Sequence, residues 1–244
     1  MTYQYAYLFD AKLSDRSQER WVSRLEAELS RRHLAGQVLR EGAFHGLKEL
    51  AKEALSKGAA TVIIVGNDAS LVKVLPVIAD ANVVIGYIPS EPSMIAKQLS
   101  IPEKLEDSVN CLAARFVRQV DLGMVGDRPF LTEVVIRDPK AVLDIGGKYT
   151  ISCQQNGAMR LVNLMAGSKS DDGELDVFVD VETVKKPLFG SPKPAARTHV
   201  KATNGQIKAG GQVRISVDGV ELNGSDIAFS VRPNGLKWIV GRRS

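Results

Sequence analysis

The sequence predicts an α/β domain, built on a parallel sheet, followed by an antiparallel β-sandwich domain. Three observations lead there. Up to Val117, short apolar runs alternate with stretches of helical spacing, the pattern of a parallel sheet covered by helices. Beyond it, turn dipeptides recur between short alternating runs, which is the signature of hairpins. Within the first part, Ala60–Leu75 reads as a buried strand, a tight turn at Gly66-Asn67-Asp68-Ala69-Ser70, and the start of a helix. The expected division is 1–117 and 118–244, with ligands expected in a cleft between the two.

Element by element, Tyr5–Phe9 is the first strand, and Ser14 or Asp15 can cap a helix carrying Trp21, Leu25 and Leu29 at helical spacing. Gln37–Leu39 follows Gly36 as a second strand. Phe44, Leu47, Leu50, Ala51, Ala54 and Leu55 form the next amphipathic helix, with Gly58 placed as its C-terminal cap. Strand Thr61–Val65, a helix through Leu71 and Leu75, strand Val83–Ile88, and helices around Met94–Leu99 and Lys104–Phe116 complete the series. The second part has turn signals at Gly126-Asp127, Gly146-Gly147, Asn156-Gly157, Asp172-Gly173, Asn204-Gly205, Asp218-Gly219 and Asn234-Gly235. Strands are read at Leu175–Val181, Gln212–Val217 and Ile227–Val231, and Lys185–Pro194 as a proline-rich surface loop.

Bulk properties narrow the function. A chain of 244 residues can bury a substantial core. Its apolar runs are too short to span a bilayer, and the first residues lack the basic-then-apolar order of a secretory signal. The two cysteines, Cys111 and Cys153, make neither a disulfide framework nor a metal spacing, so a reducing, cytoplasmic setting is expected. The formal charge of +4 is mild, and its late excess (Lys201, Lys208, Arg214, Arg232, Lys237, Arg242, Arg243) reads first as a solvated face and second as a contact for an anionic membrane. Aromatics do not interleave with these cations, which argues against a nucleic-acid platform. His33, His45 and His199 are scattered, and neither a Walker A motif nor a dinucleotide fingerprint is present.

The turn after the third strand carries the chemistry. Gly66 and Asn67 tolerate unusual backbone angles, Ser70 offers a hydroxyl to a phosphate, and Asp68 can face a metal or a nucleophile at the carboxyl end of a strand. Read alone, the pentapeptide favours a plain strand-to-helix turn capped by Asp68 or Ser70.

Its pattern resembles the Gly-Gly-Asp-Gly-Thr loop of the diacylglycerol kinase, sphingosine kinase and NAD kinase superfamily. Further blocks follow in that family's order. Ile85-Gly86-Tyr87-Ile88-Pro89 and Ile95-Ala96-Lys97-Gln98-Leu99-Ser100-Ile101-Pro102 resemble the next strand and helix, and Arg118-Gln119-Val120-Asp121-Leu122-Gly123 resembles the Arg-Ile-Asp-Leu-Gly strand. Phe130-Leu131 falls at the family's Phe-Leu-Asn segment. Asp171-Asp172-Gly173-Glu174-Leu175-Asp176-Val177 resembles the Asp-Asp-Gly-Leu-Leu-Asp-Val signature, and Val217-Asp218-Gly219 sits at the terminal hairpin. The last blocks favour the lipid kinase branch over NAD kinase. The resemblance implies phosphorylation of a lipid hydroxyl using ATP and Mg²⁺. Asp68 would face the metal, Gly66, Asn67, Ser70, Ser90 and Ser93 the nucleotide, and Asp172, with Glu174 behind it, the acceptor hydroxyl as general base. It also implies a lipid or small-molecule acceptor and peripheral contact with the inner face of the membrane.

The departures are equally specific. Ser90-Glu91-Pro92-Ser93 replaces the family's Gly-Thr-Gly-Asn loop, bringing a like charge towards a polyphosphate and a residue with no N–H to offer. Phe9-Asp10-Ala11-Lys12 stands where the family has Asn-Pro-x-Ser-Gly. A non-catalytic nucleotide- or lipid-binding descendant therefore stands beside the active kinase, and NAD kinase-like activity is a third alternative.

Overall fold

The structure, a computed structural model, describes residues 4–153, 157–166, 168–181 and 197–242. It divides into two compact units, Met1–Val120 with Gly235–Ser244, and Asp121–Asn234. The last ten residues, read from the sequence as part of the β domain, thus group with the first unit.

The first unit runs β1 (Tyr5–Phe9), α1 (Glu19–Arg31), β2 (Gln37–Arg40), α2 (Leu47–Ser56), β3 (Thr61–Gly66), α3 (Asp68–Ile78), β4 (Val84–Pro89), α4 (Met94–Gln98) and α5 (Leu105–Ala114). Its strands pair in parallel in the order β2-β1-β3-β4. All six residues of β3 are buried, as a strand covered on both faces requires. Alternation along the strands divides the core. Tyr7, Phe9, Ile63 and Val65 point to one face and pack with Val22, Leu25 and Leu29 of α1 and Val109 and Leu112 of α5. The intervening Ala6, Leu8, Val62 and Ile64, also buried, point to the other face, where α2 and α3 pack on β1 and β3.

The second unit opens in β5 (Val117–Val125) and continues through β6 (Arg128–Phe130), β7 (Glu133–Ile136), β8 (Val142–Ile145), β9 (Tyr149–Ser152), β10 (Gly157–Val162), β11 (Leu175–Val181), β12 (Arg197–Ala202), β13 (Asn204–Lys208), β14 (Val213–Val217) and β15 (Val220–Gly224). Six of these form an antiparallel sheet, β12-β11-β10-β7-β14-β15. The opposing strands are β13, β8, β9 and the start of β16 (Ile227–Ile239). One core joins the two sheets: Leu143, Ile207 and Phe229 meet Val134, Met159, Val177 and Ile215. Hairpins fall at Gly126, at Gly146-Gly147 and at Asp218-Gly219, all with positive φ, as tight antiparallel turns demand. The α/β plus antiparallel β fold is thus the one expected from the sequence.

Several boundaries differ from the sequence reading. Short 3₁₀ turns occupy Ala11–Ser14 and Arg16–Gln18, so α1 begins at Glu19 rather than after Ser14 or Asp15. Phe44 lies outside α2 and is 93 % exposed, because Gly46 takes the N-cap position behind it. The last helix stops at Ala114, where Arg115 turns left-handed, so Phe116 is not helical. Asn204-Gly205 and Asn234-Gly235 lie inside strands rather than in hairpin turns. Asn156 and the Lys185–Pro194 loop lie outside the described residues. Among those described, no helix is long and apolar enough to cross a membrane.

Candidate functional site

The β3–α3 turn is a capping structure. Asn67 adopts extended angles (φ −114°, ψ −179°), and its side chain accepts the Ser70 N–H at 3.1 Å. In return the Ser70 hydroxyl accepts the Asn67 N–H at 3.3 Å, completing a reciprocal box at the N-terminus of α3. The left-handed backbone that the sequence allowed at Gly66 and Asn67 is not used. Glycine is needed at 66 for space: a Cβ there would stand 2.6 Å from Ser70 Oγ and 2.9 Å from Asp10 Cβ. Gly66→Ala should therefore cost about 1–3 kcal/mol by overpacking, measured as a shift of the urea midpoint at constant slope.

Ser70 faces inward. It is fully buried, and its hydroxyl donates to Asp10, a 7 % exposed carboxylate that also accepts the Lys12 N–H at 2.9 Å. Lys12 itself is exposed. Ser90 extends the β3–β4 ladder by donating its N–H to Gly66 O at 2.8 Å, and Glu91 and Pro92 beyond it are exposed.

Asp68, the first residue of α3, is half-buried, and both its oxygens are engaged. Oδ1 accepts the hydroxyls of Tyr87, at 3.2 Å, and of Ser93. Oδ2 accepts the N–H groups of Met94, at 3.0 Å, and Ile95, at 3.4 Å. The carboxylate thus sits at the positive end of α4, a stabilising place for an anion, while Ser93 caps the same helix by accepting the Ala96 N–H at 2.8 Å. Burial, with Asp68 close by, pushes the Tyr87 phenol well above its ordinary range and keeps it a donor. The structure therefore brings Gly66, Asn67, Asp68, Ser70, Ser90 and Ser93 together at the carboxyl ends of β3 and β4.

Asp172 belongs to the second unit. It is half-buried, pairs with the Lys201 ammonium and accepts the Glu174 N–H at 3.2 Å. Lys201 also reaches Glu174 at 3.2 Å, and these carboxylates, Asp172 first, raise its pKa. The loop is fixed by Asp121, only 1 % exposed. Its Oδ2 accepts the Gly173 N–H at 2.7 Å and its Oδ1 the Asn234 N–H at 2.8 Å. Asn163, fully buried, donates to Asp121 O at 2.8 Å. On the neighbouring strand His199 Nε2 lies 2.6 Å from Asp176 Oδ1, and its ring stacks on Phe178 with centroids 4.7 Å apart.

Asp10, Tyr87, Asp121 and Lys201 were not singled out from the sequence as site residues. Asp121 carried a signal, a carboxylate inside the apolar run from Val120 to Val125, since a charge in a buried strand must have partners.

A Mg²⁺-bound nucleotide at the β3–α3 turn needs open carboxylate oxygens and free N–H groups. Asp68 has four donors already, Ser70 is enclosed, and among the described residues no three acidic, histidine or cysteine side chains converge as a metal site. The residues present do not fit that group.

Residues 7–125 match the sequence profile described as the diacylglycerol kinase catalytic domain. A search of curated proteins gives no match. Among solved structures, the chain is similar to a diacylglycerol kinase from Bacillus anthracis str. Sterne, with a TM-score of 0.80 at 15 % identity over 99 % of this chain and 98 % of that one. Two further structures from the same organism, given the same enzyme name provisionally, align with TM-scores of 0.80 and 0.81 at 14 % and 15 % identity, each over 99 % of this chain and over 98 % and 99 % of the other. These likenesses carry the fold across both units, and residues 7–125 carry the sequence profile of the diacylglycerol kinase catalytic domain.

Proposed function

We propose that this lipid-kinase-like protein binds a lipid or small-molecule acceptor without transferring phosphate to it. The single observation behind this reading is the Asp68 carboxylate, whose four hydrogen bonds make it the anchor of α4. A metal ion could claim those oxygens only by releasing the helix they hold. The exposed Glu91 and Pro92 add a like charge and a missing donor where a polyphosphate would lie. On the acceptor side, Asp172, on a loop anchored by Asp121, pairs with Lys201 of β12, and the pair is suited to hydrogen-bonding a hydroxyl-bearing ligand. A lipid ligand implies peripheral contact with a membrane surface.

The second reading, ATP-dependent phosphorylation of a lipid hydroxyl with Mg²⁺, is favoured by the profile match, since that family implies ATP use. Labelled-phosphate transfer from ATP to diacylglycerols, sphingoid bases, phosphatidylglycerol and NAD separates the two, run beside sedimentation with diacylglycerol-containing vesicles. The binding reading expects vesicle association that Asp172→Ala weakens, and no transfer. Transfer abolished by Asp68→Asn would overturn it in favour of the kinase.

A further inference from the structure

The outer face of the six-stranded sheet carries a depression of about 560 Å³ at β7 and β14, away from the residues discussed above. A cavity of this size suits a small ligand. Its charged lining is Arg137, Arg214, Asp138 and Glu221, with the Ser216 hydroxyl beside them; Val135 and Pro139 supply the apolar part.

The register explains why the two arginines meet. Val135 pairs with Ser216 and Ile136 with Ile215, with the isoleucines buried in the core. Arg137 follows the last residue of β7 and Arg214 precedes Ile215 on β14, so continuing the register brings them face to face; both are exposed and both line the depression. Like charges directly across neighbouring strands repel. Three other cations of this unit have carboxylate partners: Arg160 has Glu133, Lys201 has Asp172 and Lys208 has Asp144. None of the described ion pairs includes Arg137 or Arg214. Asp138 spends one oxygen on the Lys140 N–H at 2.9 Å, and Glu221 stands across from Ser216 rather than from Arg214, whose partner on β15 is Asn223.

We propose that this depression binds a phosphorylated polyol. The phosphate sits between the Arg137 and Arg214 guanidiniums, whose planar forks match its oxygens and whose repulsion it removes. Glu221 and Asp138 then accept hydrogen bonds from the ligand's alcohol hydroxyls, which inorganic phosphate lacks. The chemistry is shared by a glycerol phosphate headgroup and by a free sugar or glycerol phosphate.

Calorimetric titration of the full chain with glycerol 3-phosphate and inorganic phosphate tests the site, and vesicles of phosphatidylcholine with or without phosphatidylglycerol identify the source. Glycerol 3-phosphate should bind about tenfold more tightly than inorganic phosphate, and Arg214→Gln and Arg137→Gln should each weaken it about tenfold or more. Glu221→Gln should erase the preference for the polyol. Capture by phosphatidylglycerol vesicles that Arg214→Gln abolishes identifies a lipid headgroup, and binding of the soluble ester alone identifies a free metabolite. No saturable binding in any arm, or binding unchanged in both arginine variants, overturns the site. Equal affinity for the two phosphates overturns the polyol. Both arginines are exposed, so unchanged thermal melts should confirm that the variants are folded.

Discussion

Asp121→Ala should lower the stability of the second unit by about 3 kcal/mol, because it strips the partner from two N–H groups, each costing about 1–3 kcal/mol when buried unpaired. Those groups are on Gly173 and Asn234, held at 2.7 and 2.8 Å by a carboxylate that is 1 % exposed. Asp121→Asn keeps one acceptor but turns an amide N–H₂ towards the other donor, so most of the loss should remain. Urea unfolding gives the size of the effect, and amide hydrogen exchange gives its place. Exchange at Gly173 and Asn234 should accelerate, while β3 amides in the first unit should not. Unchanged exchange at both positions would remove Asp121 as the anchor of the Asp172 loop.

Asp68→Ala should cost about 2–4 kcal/mol, since hydrogen bonds to an ionised group are worth about 1.5–3 kcal/mol each and several made by one group do not add. It leaves the Ser93 and Tyr87 hydroxyls and the first N–H groups of α4 without their shared acceptor. Asp68→Asn should fall between the two. The result separates a helix anchor from a metal ligand. An anchor predicts a destabilised Asp68→Asn protein and a wild-type melting temperature indifferent to Mg²⁺ and ATP. A ligand predicts the reverse: ATP with Mg²⁺ raises the melting temperature of the wild type, and Asp68→Asn loses only that increment.

Much of this architecture is written in local patterns. The buried run at Thr61–Gly66 announces a central strand, and the turn into a helix falls where the sequence puts it, but the N-cap is Asn67, with Ser70 reciprocating, rather than Asp68 or Ser70. The ligation of Asp68 could not be read from the turn, because its partners are contributed from Tyr87 and from Ser93 to Ile95, 19 to 27 residues away in sequence. Phe44 misled for a different reason: its spacing fits the apolar stripe of α2, yet the helix begins three residues later at Leu47. Asn234-Gly235 is the clearest failure of local reasoning. An Asn-Gly pair between apolar runs ordinarily marks a hairpin, but here the left-handed Asn234, φ 54°, kinks a strand that continues, with its N–H held by Asp121, 113 residues earlier.

That continuing strand has a consequence for how the protein is made. The first half of β16 pairs with β13, and its end adds Lys237 and the fully buried Trp238 to the edge of the parallel sheet, in register with Val84 and Ile85. A ribosome delivers residues 4–114, with every other strand and helix of that first unit, long before this closing strand emerges. Domains emerging early usually fold first during synthesis. Here the nascent first unit must wait with the edge of β4 unpaired, a template for aggregation, while the Asp121–Asn234 unit, uninterrupted in sequence, can complete itself. A stop codon after Val120 would yield a sheet missing its border, whereas a circular permutant that supplies residues 235–242 early should fold its first unit on the ribosome.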